Sequence, residues 1–200
     1  MRIIDWKEQT SRFKATLTAV EHTKQIRQSL FPSSLPRGSQ APLFTLPATT
    51  QDSLSLQSLL GKPIILAFYP ADWTPVCTNQ LSLYNEVLPM FASFEAQLLA
   101  ISVDSLDCHH AFAAAHRLRF PLLADFEPTG EISQAYGVYD ERFGVSHRAL
   151  FVIDHAGVVA WSHVYPYDVR PGADGILRAL ESLNRAPSLN APWQATHLQS

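Results

Sequence analysis

The chain has 200 residues, of which 46% are hydrophobic and 16% charged, and a formal net charge of −3. That size and balance fit one domain with a sizeable core, and the scattered lysines and arginines make neither a basic stripe for nucleic acid nor an acidic tail. That charge pattern makes small molecules or proteins the expected partners, and two cysteines do not make a disulfide framework.

Ile3, Ile4, Trp6, Phe13, Leu17, Val20, Ile26 and Leu30 recur at roughly helical intervals and predict one or two amphipathic helices across 5–30. Arg2, Asp5, Lys7 and Glu8 interrupt any secretory-signal run, and no apolar span follows, so a cytoplasmic location is the default expectation. The Pro/Ser/Gly stretch 32–41 reads as a linker. These features divide the chain into an N-terminal helical extension and linker (1–37), a main domain (38–184) and a flexible tail (185–200) whose one potential anchor is Trp193.

Within the main domain, 43–47 is a short extended piece and 63–68 a continuous apolar run suited to a buried central strand. A helix opens at Thr74, with Leu81, Tyr84, Leu88 and Phe91 as its buried stripe; Pro89 is expected to kink or end it. A strand at 97–103 and an alanine-rich helix at 106–117 follow. After Leu122 and Leu123, a helix near 129–136 leads to strands at 148–154 and 158–164, joined by the turn His155-Ala156-Gly157. Pro171 and Gly172 precede a last helix to Leu183. This order predicts an α/β fold with a central mixed sheet covered by helices on both faces, the thioredoxin-like architecture.

Chemistry concentrates where the central strand ends, at Phe68-Tyr-Pro-Ala-Asp-Trp-Thr-Pro-Val-Cys77. Thr74 suits the N-cap and Pro75 the first helical position, which places Cys77 in the first turn, where free backbone N–H groups and the helix dipole favour a thiolate. The Cys77 amide is expected to donate to the Thr74 oxygen, leaving the hydroxyl hydrogen for sulfur or substrate. A helix N-terminus together with a cation can bring a thiol from about 8.5 to between roughly 3.5 and 7.5.

Pro70, Thr74 and Cys77, spaced Pro-x-x-x-Thr-x-x-Cys after a strand ending Phe-Tyr, resemble the signature of the peroxiredoxins, the cysteine-dependent peroxidases. Arg148, opening a later strand in His-Arg-Ala-Leu-Phe-Val-Ile-Asp, fits the arginine of that family. The similarity continues through Gly38-Ser-Gln-Ala-Pro-Leu-Phe-Thr-Leu, Ile101-Ser-Val-Asp-Ser, Phe120-Pro-Leu-Leu-Ala-Asp and Gln134-Ala-Tyr-Gly-Val, across about 38–183. Thr-Pro-Val-Cys-Thr is most similar to one-cysteine peroxiredoxins, and Ser133-Gln-Ala-Tyr-Gly-Val to the alkyl hydroperoxide reductase E type.

The resemblance implies reduction of hydrogen peroxide and organic hydroperoxides through a Cys77 sulfenic acid, without a bound cofactor or metal. It implies an external thiol such as glutathione or a thioredoxin-like protein as reductant, and a homodimer or larger assembly. Gln80 stands where many family members carry glutamate, and is expected to accept from Arg148. Cys108 is either a resolving thiol or a bystander, and the bystander reading is favoured. Cys108, His109, His110 and His116 lack a recognised ligand spacing, so a solvated or helix-capping cluster is expected. His147 alternates to the far face of its strand and should miss the site. The competing readings are a thiol-disulfide oxidoreductase, which normally uses Cys-x-x-Cys where this chain has Thr74, and a non-catalytic redox-sensing or chaperone-like module.

Overall fold

The computed structural model describes residues 34–185, so the helices predicted across 5–30 and the tail with Trp193 lie outside the described residues. Thr45–Ala48 (β1) and Gln51–Ser55 (β2) form a hairpin, followed by Ile64–Phe68 (β3), Pro75–Ala92 (α1), Gln97–Ser102 (β4), Leu106–His116 (α2) and Leu122–Ala124 (β5). The second half comprises Glu131–Ala135 (α3), Tyr139–Asp140 (β6), Val145–Ser146 (β7), Arg148–Ile153 (β8), Val159–Tyr165 (β9) and Asp174–Arg185 (α4).

Strand β3 has no exposed side chain, and that two-faced burial puts it mid-sheet. It pairs parallel with β4 and antiparallel with β8, within a seven-stranded sheet of order β2-β1-β5-β4-β3-β8-β9. Period-two alternation then sorts its side chains. Ile64, Leu66 and Phe68 join Phe151, Ile153 and Tyr136 on one face, whereas Ile65 and Ala67 join Leu150, Val152 and the apolar stripes of α1, α2 and α4 on the other. Cys77 belongs to the second cluster. Full burial of each Leu, Ile or Phe contributes roughly 1.5–3 kcal/mol, so the sheet anchors the loops at its ends.

Two expectations are corrected here. Helix α1 neither ends nor breaks at Pro89 but continues to Ala92. Proline lacks the N–H that would bond the carbonyl four residues earlier, and the guanidinium of Arg119 takes its place, with Nη2 donating to the Asn85 carbonyl at 2.6 Å. The second correction concerns β2 and the separate β6–β7 ribbon, neither of which the alternation signal reveals. Strand β2 is mostly polar and exposed, and the ribbon strands have two residues each. Gly130, at φ 74°, lets α3 approach the ribbon: a Cβ there would lie 2.2 Å from the Tyr139 ring.

Candidate active site

Strand β3 delivers the chain into the 70–74 loop, and α1 starts immediately beyond it. Thr74 is extended, at φ −78° and ψ 142°, Pro75 opens the helix, and the Thr78 amide donates to the Thr74 carbonyl at 2.9 Å. The Thr74 side chain, however, makes no cap bond. Its hydroxyl donates to the Ala71 carbonyl at 3.2 Å, which corrects the expected bond from the Cys77 amide. The 71–74 turn brings that carbonyl within reach, and a local side-chain-to-backbone bond competes with the cap. Pro70 is half-buried at the start of the loop.

Cys77 is 0% exposed. Arg148 reaches it through strand parity, because residues 148, 150 and 152 of β8 point to one face and Leu150 and Val152 lie in the cluster that contains Cys77. The Arg148 Nη2 donates to Cys77 Sγ at 3.3 Å and to the Tyr167 carbonyl at 3.2 Å, while Nη1 donates to Gln80 Oε1. Gln80 in turn donates to the Tyr84 hydroxyl at 3.4 Å. Arg148 is itself 1% exposed, and its Nε has no partner among the described residues. A buried N–H with no acceptor is rare enough to call for an explanation.

The loop carrying these residues is tied to α2. Asp72 accepts from the Tyr69 hydroxyl at 2.8 Å and from His109 Nδ1 at 2.8 Å, and its amide donates to Asp104 at 2.8 Å. His109 Nε2 faces the Leu123 carbonyl at 3.2 Å. Both ring nitrogens therefore face oxygen acceptors, which fixes the orientation of the ring. This corrects the solvated reading for His109, which is completely buried; His116 packs instead against Trp73 and Phe112. Trp73 adopts φ 62°, a left-handed backbone that a non-glycine residue holds only where its surroundings impose it.

Cys108 lies at this anchor, its sulfur grouped with carboxylate oxygens of Asp72 and Asp104 within 4.8 Å. Those carboxylates already accept hydrogen bonds from Tyr69, His109, Ser102 and the Asp72 amide, which fits a structural tie better than a cation site. Partial burial pushes the Cys108 thiol up and the two carboxylates add to the effect, so it stays protonated at neutral pH. His147 stacks on Tyr167 at 5.1 Å between centroids and thereby reaches the site indirectly.

Sequence reasoning overlooked Tyr167, Asp72 and His109 as parts of this neighbourhood and read Tyr84 as core only. The Gln80–Tyr84 contact has an i, i+4 signal. Asp72 lies within the motif loop but its partner His109 is 37 residues away, and Tyr167 comes from a distant segment without a fixed spacing.

The model of the AhpC/TSA family matches residues 37–162. Alkyl hydroperoxide reductase E of Mycobacterium tuberculosis is 37% identical over 135 residues, covering 66% of this chain and 88% of that protein. Peroxiredoxin 2 of Thermoplasma acidophilum is 31% identical over 167 residues, covering 78% of this chain and 82% of its own length. Among solved structures, peroxidoxin BcpB from Mycobacterium tuberculosis superposes with a TM-score of 0.67 at 30% identity, covering 74% of this chain and 98% of that one. AhpC of Enterococcus faecalis gives a TM-score of 0.68 at 27% identity, covering 73% and 90% respectively.

Proposed function

In a chain that belongs to the AhpC/TSA family of peroxiredoxins and is a thiol-dependent peroxidase, we propose that Cys77 is the residue that peroxide oxidises, with Arg148 and Thr74 as its catalytic partners. The observation that supports this reading best is the 3.3 Å bond from Arg148 Nη2 to a fully buried Cys77 sulfur in the first turn of a helix. A fixed donor beside the sulfur, at a helix N-terminus, awaits negative charge on the oxygens that approach it.

The Cys77 thiolate attacks the terminal oxygen of a hydroperoxide in line with the O–O bond. A sulfur–oxygen bond forms and the O–O bond breaks. Its electron pair leaves on the distal oxygen, which takes a proton to become water or alcohol, and Cys77 becomes a sulfenic acid. Negative charge spreads from sulfur onto two oxygens in this step. The unpartnered Arg148 Nε and the Thr74 hydroxyl are the donors that can meet it, the latter by turning away from Ala71. Gln80 holds the guanidinium from the opposite side through an uncharged acceptor, and Pro70 limits water at the mouth of the site.

An external thiol then condenses with the sulfenic acid, releasing water, and a second thiol displaces Cys77 from the mixed disulfide. A glutathione-like thiol or a thioredoxin-like protein fits this role. A sulfur with no exposed surface is accessible to such a partner only after the first turn of α1 opens locally. Cys108 is a poor resolving thiol because it is held protonated beside two carboxylates. The same family likeness supports assembly as a homodimer or larger.

Cys77→Ser abolishes hydroperoxide consumption, whereas Cys108→Ser retains turnover with an external thiol. Non-reducing mass spectrometry after one equivalent of peroxide finds sulfenic acid at Cys77 in the wild type. Activity surviving in Cys77→Ser would sink the assignment, and a Cys77–Cys108 bridge would make Cys108 the resolving residue.

A further inference from the structure

Among the described residues, the Tyr167 carbonyl is one of two oxygen acceptors on the Arg148 guanidinium, and it lies in the loop after β9, not on a regular element. A loop carbonyl is only as well placed as the side chain that pins it. The pin here is unusually complete. The Tyr167 hydroxyl donates to Asp140 Oδ2 at 3.0 Å, and its ring lies nearly parallel to His147, 18° between planes. Phe143 meets the same ring edge-on at 6.1 Å.

Asp140 is buried at 4% exposure and gathers donors: Arg142 Nε at 2.9 Å, Arg142 Nη2 at 2.7 Å, the Arg142 amide at 3.1 Å and the Tyr167 hydroxyl, while His147 Nε2 lies 3.4 Å away. A carboxylate with a forked arginine is held at a fixed angle as well as a fixed distance. These residues sit on or beside the β6–β7 ribbon, which stands apart from the main sheet and whose second strand leads through His147 directly into Arg148. The ribbon thus supplies Arg148 from its chain end and grips Tyr167 with its side chains. The circuit closes where the Tyr167 carbonyl meets the guanidinium.

We propose that Asp140 and Tyr167 are positioning residues for Arg148: the Asp140 carboxylate fixes Tyr167, and the Tyr167 carbonyl holds the guanidinium at the Cys77 sulfur. The peroxide never touches either residue. The inference rests on the peroxidase reading of Cys77, and reading the clamp separately keeps the two distinguishable. Positions in one circuit act through one another, so removing a second link adds little once the first is broken.

The test uses the full chain, with Tyr167→Phe as the main variant because it keeps the ring and removes only the bond to Asp140; Asp140→Ala is the second. Each lowers the second-order rate constant for hydrogen peroxide about fivefold or more when Arg148 is present, and less than twofold in the Arg148→Lys background. Iodoacetamide alkylation of Cys77 needs no peroxide, and its rate at a fixed pH changes about twofold or more in Tyr167→Phe as Arg148 loosens from sulfur. Melting temperature reads folding independently. Unchanged peroxide rates and an unchanged alkylation rate in Tyr167→Phe overturn the proposal, as does an equal fold-loss in both Arg148 backgrounds. A wild type inert to peroxide sinks the peroxidase reading instead, and the alkylation rate still decides the clamp.

Discussion

The Thr74 hydroxyl hydrogen points at the Ala71 carbonyl in the resting site, whereas oxygen–oxygen cleavage asks it to face the substrate. Rotation about one side-chain bond makes the exchange, so the hydroxyl matters and the methyl does not. Thr74→Ser keeps most of the peroxide rate, and Thr74→Val loses roughly 10²–10³-fold, the effect of removing one preorganised donor. Equal stopped-flow rates for wild type and the valine variant would remove Thr74 from the mechanism. Asp140 allows a second test at this scale. Arg142, with Tyr167 adding to it, holds the Asp140 carboxyl well below the usual carboxylate range, outweighing its burial. A folded-state value below the unfolded one means stabilisation that is complete above an unfolded value of about 4 and is lost as pH falls toward the folded one. Asp140→Asn therefore lowers the melting temperature at pH 7, and its gap from the wild type narrows toward pH 3.

At the scale of elements, α1 shows how a helix tolerates an internal proline. Pro89 is exposed on the solvent side, and the carbonyl it leaves free at Asn85 is taken by Arg119 from the turn that follows α2. The Arg119 amide also donates to the Asn85 side chain at 2.9 Å, so the repair joins α1 to its neighbour. Arg119→Ala costs about 1 kcal/mol, the net worth of such a bond, by urea denaturation. In a Pro89→Ala background the restored helix amide competes for the same carbonyl, and the loss shrinks. Additive effects would show that the two residues are not partners.

At the scale of the whole molecule, two apolar clusters clamp the central strands from both sides. Strands β3, β4 and β8 lie at the junction, and every residue of β3 and β8 is buried. Their amides exchange slowest with deuterium, at the free energy of global unfolding, while the β6–β7 ribbon exchanges sooner. Ribbon amides as protected as those of β3 would contradict the picture of a peripheral clamp around a rigid sheet. No helix among the described residues is long and apolar enough to cross a membrane.

Much of this was legible in the sequence because it is local. Apolar runs mark β3 and β8, an extended threonine followed by proline marks the start of α1, and the parity of residues 148, 150 and 152 can be counted before any coordinates exist. The family-bearing spacing of Pro70, Thr74 and Cys77 is likewise a property of one short segment. What only the tertiary structure decided are the contacts between segments. Asp72 meets His109, Arg119 takes the carbonyl that Pro89 leaves free, the Thr74 hydroxyl chooses Ala71, and Tyr167 meets Arg148 because residues on and beside a ribbon of two two-residue strands hold its ring and hydroxyl. No spacing rule connects such pairs, since their distance is set by how whole strands and helices pack and not by the chain between them.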